Sequence, residues 1–224
     1  MIEAKALSLT YHDGTVALKD VNITVNPGEL VYITGHSGSG KTSLLKLLIG
    51  IEYPTSGSLK VLGQTMKRGR DRKIRKLRKK IGPVFQEFKL VEGRTSLENV
   101  MMGMRFLGIS TRKMKAEAIS VLTKVGLEHK IYAKVENLSW GESQRVAIAR
   151  AVARKPELIL ADEPTGNLDH ANAMNILHIL NSFRDNNTAV VITTHATHLI
   201  ENQEDATYIR VNKGEITIER SSAK

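Results

Sequence analysis

Residues Leu30–Gly50 read "LVYITGHSGSGKTSLLKLLIG", and this stretch decides the fold. Leu30–Thr34 is a short β-favouring run, and Lys41–Ile49 has the apolar spacing of a helix that stops at Gly50. Between them "GHSGSGKT" fits G-x-x-x-x-G-K-[ST] at every fixed position. A strand, a glycine-rich loop and a helix in that order form a cradle for phosphate. Gly35, Gly38 and Gly40 let the backbone turn its N–H groups inward around His36, Ser37 and Ser39. Lys41 brings a positive charge to the β- and γ-phosphates, and the Thr42 hydroxyl is placed to ligate Mg²⁺, with Ser43 next in line. The helix N-terminus adds partial positive charge. A ligand-free glycine turn is the bland alternative, and it leaves the lysine and hydroxyl at those positions without a purpose.

A phosphate loop of this kind needs an acidic partner at the end of a neighbouring buried strand. "ELILADE", Glu157–Glu163, supplies it: four apolar residues, then Asp162 and Glu163. Asp162 is expected to hold Mg²⁺. Glu163, one residue on, is expected to polarise an attacking water. Two solvated carboxylates at a strand end would be the structural alternative.

Outward from these motifs, "EAKALSLTY" and "ALKDVNITV" alternate as strands, with a Pro27-Gly28 turn before Leu30. "SLKVLG" and "IGPVFQEFKL" read as further strands, the second running into a loop. From Thr95 the pattern is helical, and Thr95-Ser96-Leu97-Glu98 has the form of a capping box. "TAVVITTH" is a second buried strand, and "DATYIRVNKGEITIE" reads as a hairpin turning at Asn212–Glu215. The expected fold is α/β: a mixed sheet core with antiparallel N-terminal strands and an inserted helical lobe. It forms one domain, with the core at about residues 1–90 and 156–224 and the lobe at about 91–155.

The chain of 224 residues has no cysteine, so disulfides, thiolate metal sites and thiol catalysis are excluded, and a cytoplasmic setting is mildly favoured. No apolar stretch approaches the roughly 20 residues of a membrane span, and the first residues do not read as a signal peptide. The formal net charge is +10, but "KRGRDRKIRKLRKK" at 67–80 holds ten basic residues and one acidic, leaving only +1 elsewhere. Ile74, Leu77 and Ile81 within and after it suggest one apolar helical stripe. The segment is either a solvated helix face or a patch for an anionic lipid surface; nucleic acid is not favoured, since no aromatic residue interleaves the charges.

Several motifs in order resemble one family, the ATP-binding cassette (ABC) ATPases, and the resemblance covers nearly the whole chain. Tyr11 matches the aromatic residue that stacks on adenine. Gln86 matches the glutamine that senses Mg²⁺ and contacts a membrane partner. "LSWGESQ", Leu138–Gln144, matches the signature motif, and Asp169, ending "NLD", the loop that crosses the dimer interface. His195 matches the switch histidine near the γ-phosphate. The resemblance implies ATP and Mg²⁺ as ligands, and a head-to-tail homodimer in which Ser139, Gly141 and Glu142 of one copy face the phosphate loop of the other. Ser139 and Glu142 also have capping-box spacing. The usual signature has glycine where this chain has Trp140, its only tryptophan. Trp140 is expected to point away from the phosphate and leave the site able to close, or to pack on the partner copy.

Within the family, "TGHSGSGKTSLLKLLIGIEYPTSG" and "LADEPTGNLD" are most similar to the FtsE branch of cell-division ATPases. That resemblance implies an FtsX-like integral membrane subunit, control of cell-wall hydrolysis, and a cytoplasmic position on the inner face of the membrane. The lipoprotein-release and macrolide-export ATPases share "ADEPTGNLD" and are the alternative. Two rivals fare worse. "NKGE" at Asn212–Glu215 is near the guanine-reading N-K-x-D, but glutamate replaces aspartate and a hairpin explains Gly214. His195 and His198 are three apart, yet no further ligand cluster accompanies them, and His198 is assigned to packing or surface.

Overall fold

The computed structural model describes residues 1–166, 168–201, 203 and 205–220. Two sheets share one core. In the first, β1 (Ile2–Thr10) lies between β2 (Val16–Val25) and β4 (Ser56–Val61), all antiparallel, with the two-residue β5 (Gln64–Thr65) at the edge. The second is mixed, in the order β10 (Glu215–Arg220), β9 (Ala206–Asn212), β3 (Leu30–Thr34), β8 (Ala189–Thr194), β7 (Leu158–Asp162) and β6 (Ile81–Val84). The strands from β9 to β6 are parallel, and only β10 runs against its neighbour. β3 and β8 are buried at every residue, which is why they read as unbroken apolar runs. The hairpin joins β9 to β10, with Lys213 and Gly214 both at positive φ (48° and 82°), the backbone of a type I′ turn.

Helices complete the layers. α1 (Lys41–Leu48) sits between the two sheets, in an apolar cluster with β1, β2 and one face of β3 and β8. The other face of the large sheet packs on α3 (Ser96–Met104), α4 (Thr111–Lys124), α5 (Trp140–Val152) and α6 (His170–Ser182). α3 and α5 both begin with complete capping boxes, Thr95–Glu98 and Ser139–Glu142, as the sequence predicts. α2 (Asp71–Arg78) packs beside β5 and β6 and buries Ile74 and Leu77 in the same cluster as α1. Ile81 fits both that helical stripe and the start of the strand read in "IGPVFQEFKL"; it opens β6, so the strand reading holds and the stripe ends at Leu77. Lys79 and Lys80 close the helix with turn hydrogen bonds to Lys76 and Leu77 before the strand starts. The short β5 was not anticipated.

The register of the parallel strands positions the site. Thr34 pairs with Thr194, Asp162 with Thr193, and Val84 with Ala161. Four strands therefore end at one edge of the sheet, and the residues just beyond them converge. This is where α/β sheets place ligands, because the loops that follow the strands open outward there.

Candidate active site

The loop after β3 is shaped by what glycine permits. Gly35 (φ 149°) has the carbonyl of Val211 so close that a Cβ would sit 2.2 Å from it. At Gly40 (φ 116°) a Cβ would sit 2.5 Å from the Ala17 carbonyl. Any side chain at either position would push the loop off its supports. The β9–β10 turn braces it from behind, with the Gly214 N–H donating to the Ser39 carbonyl at 3.0 Å. Asn212–Glu215 is thus a structural hairpin and not a base reader. Lys41 is 7% exposed; its ammonium donates to the carbonyls of Gly35 (2.8 Å) and His36 (3.2 Å).

Around the loop opens a cleft of about 690 Å³ lined by Tyr11, His36 to Ser43, Gln86, Glu163 and His195. Tyr11 stands beside the start of α1, its hydroxyl 3.0 Å from Ser43 Oγ. His36 and Ser37 are exposed at the loop tip, and Gln86 is exposed at the cleft mouth beyond β6. Glu163 is the focus. One oxygen lies 3.4 Å from Lys41 Nζ; the other lies 2.9 Å from His195 Nδ1 and accepts the His195 backbone N–H. Its φ of 45° is the left-handed region, a cost the surrounding bonds must hold in place.

Thr193 is the residue that sequence reasoning missed. It is fully buried, donates its hydroxyl to Asp162 Oδ1 (2.7 Å), and accepts the Glu163 N–H (3.0 Å). It holds the Asp162 carboxylate and the Glu163 backbone at once. The available signal was a polar pair, Thr193-Thr194, ending an otherwise aliphatic buried strand.

The remaining predicted residues lie apart from this cleft. Ser139 caps α5: its Oγ accepts the Glu142 N–H, and the Glu142 carboxylate accepts the Ser139 N–H at 2.7 Å. That bond is the main reason the Glu142 carboxyl lies below the usual range, with Lys130 nearby contributing. Asp169 caps α6 through the Asn172 N–H (2.9 Å), which lowers its carboxyl likewise. A Cβ on Gly141 would touch Leu168 and Asn172, so the starts of α5 and α6 are neighbours. Asn167 of "NLD" lies outside the described residues. Trp140 neither faces the cleft nor projects freely; its ring meets Phe88 of the same chain edge-on, centroids 4.6 Å apart. His198 stacks near His170, with ring centroids 6.4 Å apart, and among the described residues no cluster of three metal-binding side chains occurs.

A buried lysine at a glycine loop, hydroxyls at a helix start and two clamped carboxylates make a donor set that fits Mg²⁺ and a nucleoside triphosphate. The buried Ser39 Oγ, which has no partner in the loop, fits too. This defines a P-loop nucleoside triphosphatase. The ABC transporter family model matches residues 18–166, and the chain belongs to that family. It is 41% identical over 200 residues to the cell division ATP-binding protein FtsE of Escherichia coli K12, covering 89% of this chain and 90% of that protein. It is 37% identical to FtsE of Streptococcus pneumoniae serotype 2, covering 89% and 87%. It superposes on the dimeric post-hydrolysis structure of the ATP-binding cassette MJ0796 bound to ADP and Pi with a TM-score of 0.87. There the identity is 33% and both chains are covered in full. The chain is an ATPase that uses ATP with Mg²⁺.

Proposed function

We propose that this chain is the ATP-hydrolysing subunit of an FtsE/FtsX-type membrane complex, working as a homodimer on the inner face of the membrane to control cell-wall hydrolysis during division. The observation that carries the ATPase half of this reading is the convergence of Lys41, Asp162, Glu163 and His195 beyond β3, β7 and β8. The division half is supported by similarity to FtsE from distant bacteria.

In this reading each residue takes the role that the family resemblance gives it. Tyr11 stacks on the adenine. The N–H groups from Gly35 to Ser43 receive the phosphates, and Lys41 leaves its carbonyl and Glu163 contacts to bind them. Thr42, Asp162 and Gln86 would hold Mg²⁺, which would supply positive charge against the phosphate oxygens. Once Lys41 turns away, Glu163 is left with His195 as its fixed partner and can accept a proton from the attacking water. Ser139 and Gly141 present the α5 N-terminus to the second copy, where Trp140 and Gly141 N–H groups have no intrahelical acceptor. Asp169 lies beside them at the same interface.

The core (residues 1–90 and 156–224) and the helical lobe (91–155) are the moving parts. Between them is a groove of about 700 Å³ lined by Ile51, Phe85 and Phe106 beside Arg75, Arg78 and Lys79. Phe106 is 77% exposed and Ile51 52%. Among the described residues no helix is long and apolar enough to cross a membrane; in this reading force passes to a separate membrane subunit. An apolar segment flanked by acidic residues fits this groove.

The test is capture of tagged Glu163→Gln with ATP from detergent-solubilised native membranes. Recovery of a four-span subunit with a large extracytoplasmic domain supports the division role. A lipoprotein-release or efflux permease would keep the ATPase and replace the role. Nucleic acid without any membrane protein would overturn both.

A further inference from the structure

The ten basic side chains of residues 67–80 are all exposed, and among the described residues only Lys80 has a carboxylate in reach, Glu157 at 2.8 Å. α2 is anchored from beneath. Ile74 and Leu77 are buried, and Arg78 donates to the carbonyls of Ile49 (2.9 Å) and Gly50 (2.7 Å). Its outer face therefore holds like charges at helical spacing, Arg72 with Lys76 and Arg75 with Lys79, which repel. Such a face gains most by meeting an extended anionic surface. Arg75, Arg78 and Lys79 also line the inter-lobe groove, so α2 adjoins the place assigned above to the membrane subunit. We propose that α2 docks on anionic phospholipid headgroups beside that subunit. The orientation rests on the membrane-complex reading; the lipid contact itself does not.

The test is co-sedimentation of the native chain with phosphatidylcholine vesicles, with and without phosphatidylglycerol. Binding should require phosphatidylglycerol and weaken with salt. Replacing Arg72, Lys73 and Lys76 with serine, outside the groove lining, should weaken it about 100-fold, at roughly a factor of five per cation. ATPase turnover and membrane-subunit capture should persist. Equal binding to neutral vesicles, no binding, or duplex DNA bound more tightly than vesicles would overturn the lipid contact. Lost subunit capture with vesicle binding retained would instead count against the membrane-complex reading.

A separate observation concerns Trp140. The loop after Gln86 holds two successive non-glycine residues at left-handed φ, Phe88 (51°) and Lys89 (52°). α5 grips this turn twice. Trp140 packs edge-on against the Phe88 ring, and Arg150 donates to the carbonyls of Phe88 and, at 2.5 Å, Lys89. We infer that Trp140 is a positioning residue. It ties the start of α5 to the Gln86 loop of its own chain, so that Gln86 and Ser139 move together when the lobes rotate. A glycine at 140 would leave only the Arg150 end attached.

As the only tryptophan, Trp140 reports on itself. In Glu163→Gln, Mg-ATP should shift its emission, and adding Phe88→Ala should abolish the shift. In the otherwise native chain, Trp140→Gly should lower kcat several-fold at unchanged KM, and Trp140→Phe should restore it. An emission shift that survives Phe88→Ala, no shift at all, or native kcat in Trp140→Gly would each overturn the role.

Discussion

In the reading proposed above, the phosphate end and the signature end of this molecule have the same task, aiming N–H groups at an anion, and they are built by different means. At the phosphate end the cradle itself is supplied locally. One strand, one loop and one helix bring the glycines, Lys41 and Thr42 together within a few residues, and the strand register adds Asp162, Glu163 and His195. At the signature end Ser139 and Glu142 satisfy each other, and Trp140 at the start of α5 packs on Phe88, far away in sequence. A locally built site tolerates little change in its own residues. A remotely braced one depends on partners that no motif names.

The sharpest way to break this contrast is Glu163→Gln. Turnover should fall at least about 100-fold, the scale of a lost general base, while ATP binding persists and the dimer accumulates. Steady-state hydrolysis and size-exclusion chromatography with ATP measure both, and undiminished turnover removes Glu163 from the reaction. Next comes Lys41→Ala, which deletes a charged donor from the cradle. Nucleotide affinity should drop roughly 10- to 100-fold, read by equilibrium titration with a fluorescent ATP analogue. An unchanged affinity would mean that the loop backbone alone holds the phosphates.

Thr193→Val sharpens the picture within the phosphate end. Shape is nearly kept while two hydrogen bonds are lost, one to the Asp162 carboxylate and one from the Glu163 backbone N–H. Turnover should fall about tenfold, at roughly 1 kcal/mol or slightly more, with Mg-free ATP binding unchanged. Equal losses in binding and turnover would mean that Thr193 supports the fold and not the carboxylates.

These differences also explain what could be read in advance. The phosphate loop, both capping boxes and the 212–215 turn are specified by neighbours in sequence, and each stands where the spacing puts it. Ile81 admitted two readings because a residue in phase with a helical stripe looks the same whether the helix continues or a strand begins, and β6 decides for the strand. Thr193, Phe88 and Arg150 were not legible, since their partners are brought near only by sheet register and by the packing of α5. The Trp140 departure could be seen in the sequence, but its consequence required Phe88.

At the signature end the expected effects are smaller and appear first in stability. Ser139→Ala removes the cap of α5 and should cost about 1 kcal/mol, seen as a lower Tm, while the isolated chain still binds ATP. If ATP binding by the isolated chain fell as well, the two ends would not be separable.

The smallest effect is pH dependence at the same cap. The Glu142 carboxyl is held below its ordinary value of 4.5 chiefly by the Ser139 N–H, so the folded state favours its ionised form. The sign follows from proton uptake. Above 4.5 the carboxylate is ionised folded or unfolded, and the cap contributes in full. As pH falls below that value the unfolded chain takes up the proton first, and the contribution drains away until the folded carboxyl is protonated too. Glu142→Gln keeps the side-chain length and an acceptor but cannot titrate. Its Tm should therefore lie slightly below that of the native chain at neutral pH and converge with it in acid. A constant gap across that range would mean that the ionised carboxylate adds nothing to the cap beyond the geometry glutamine also provides.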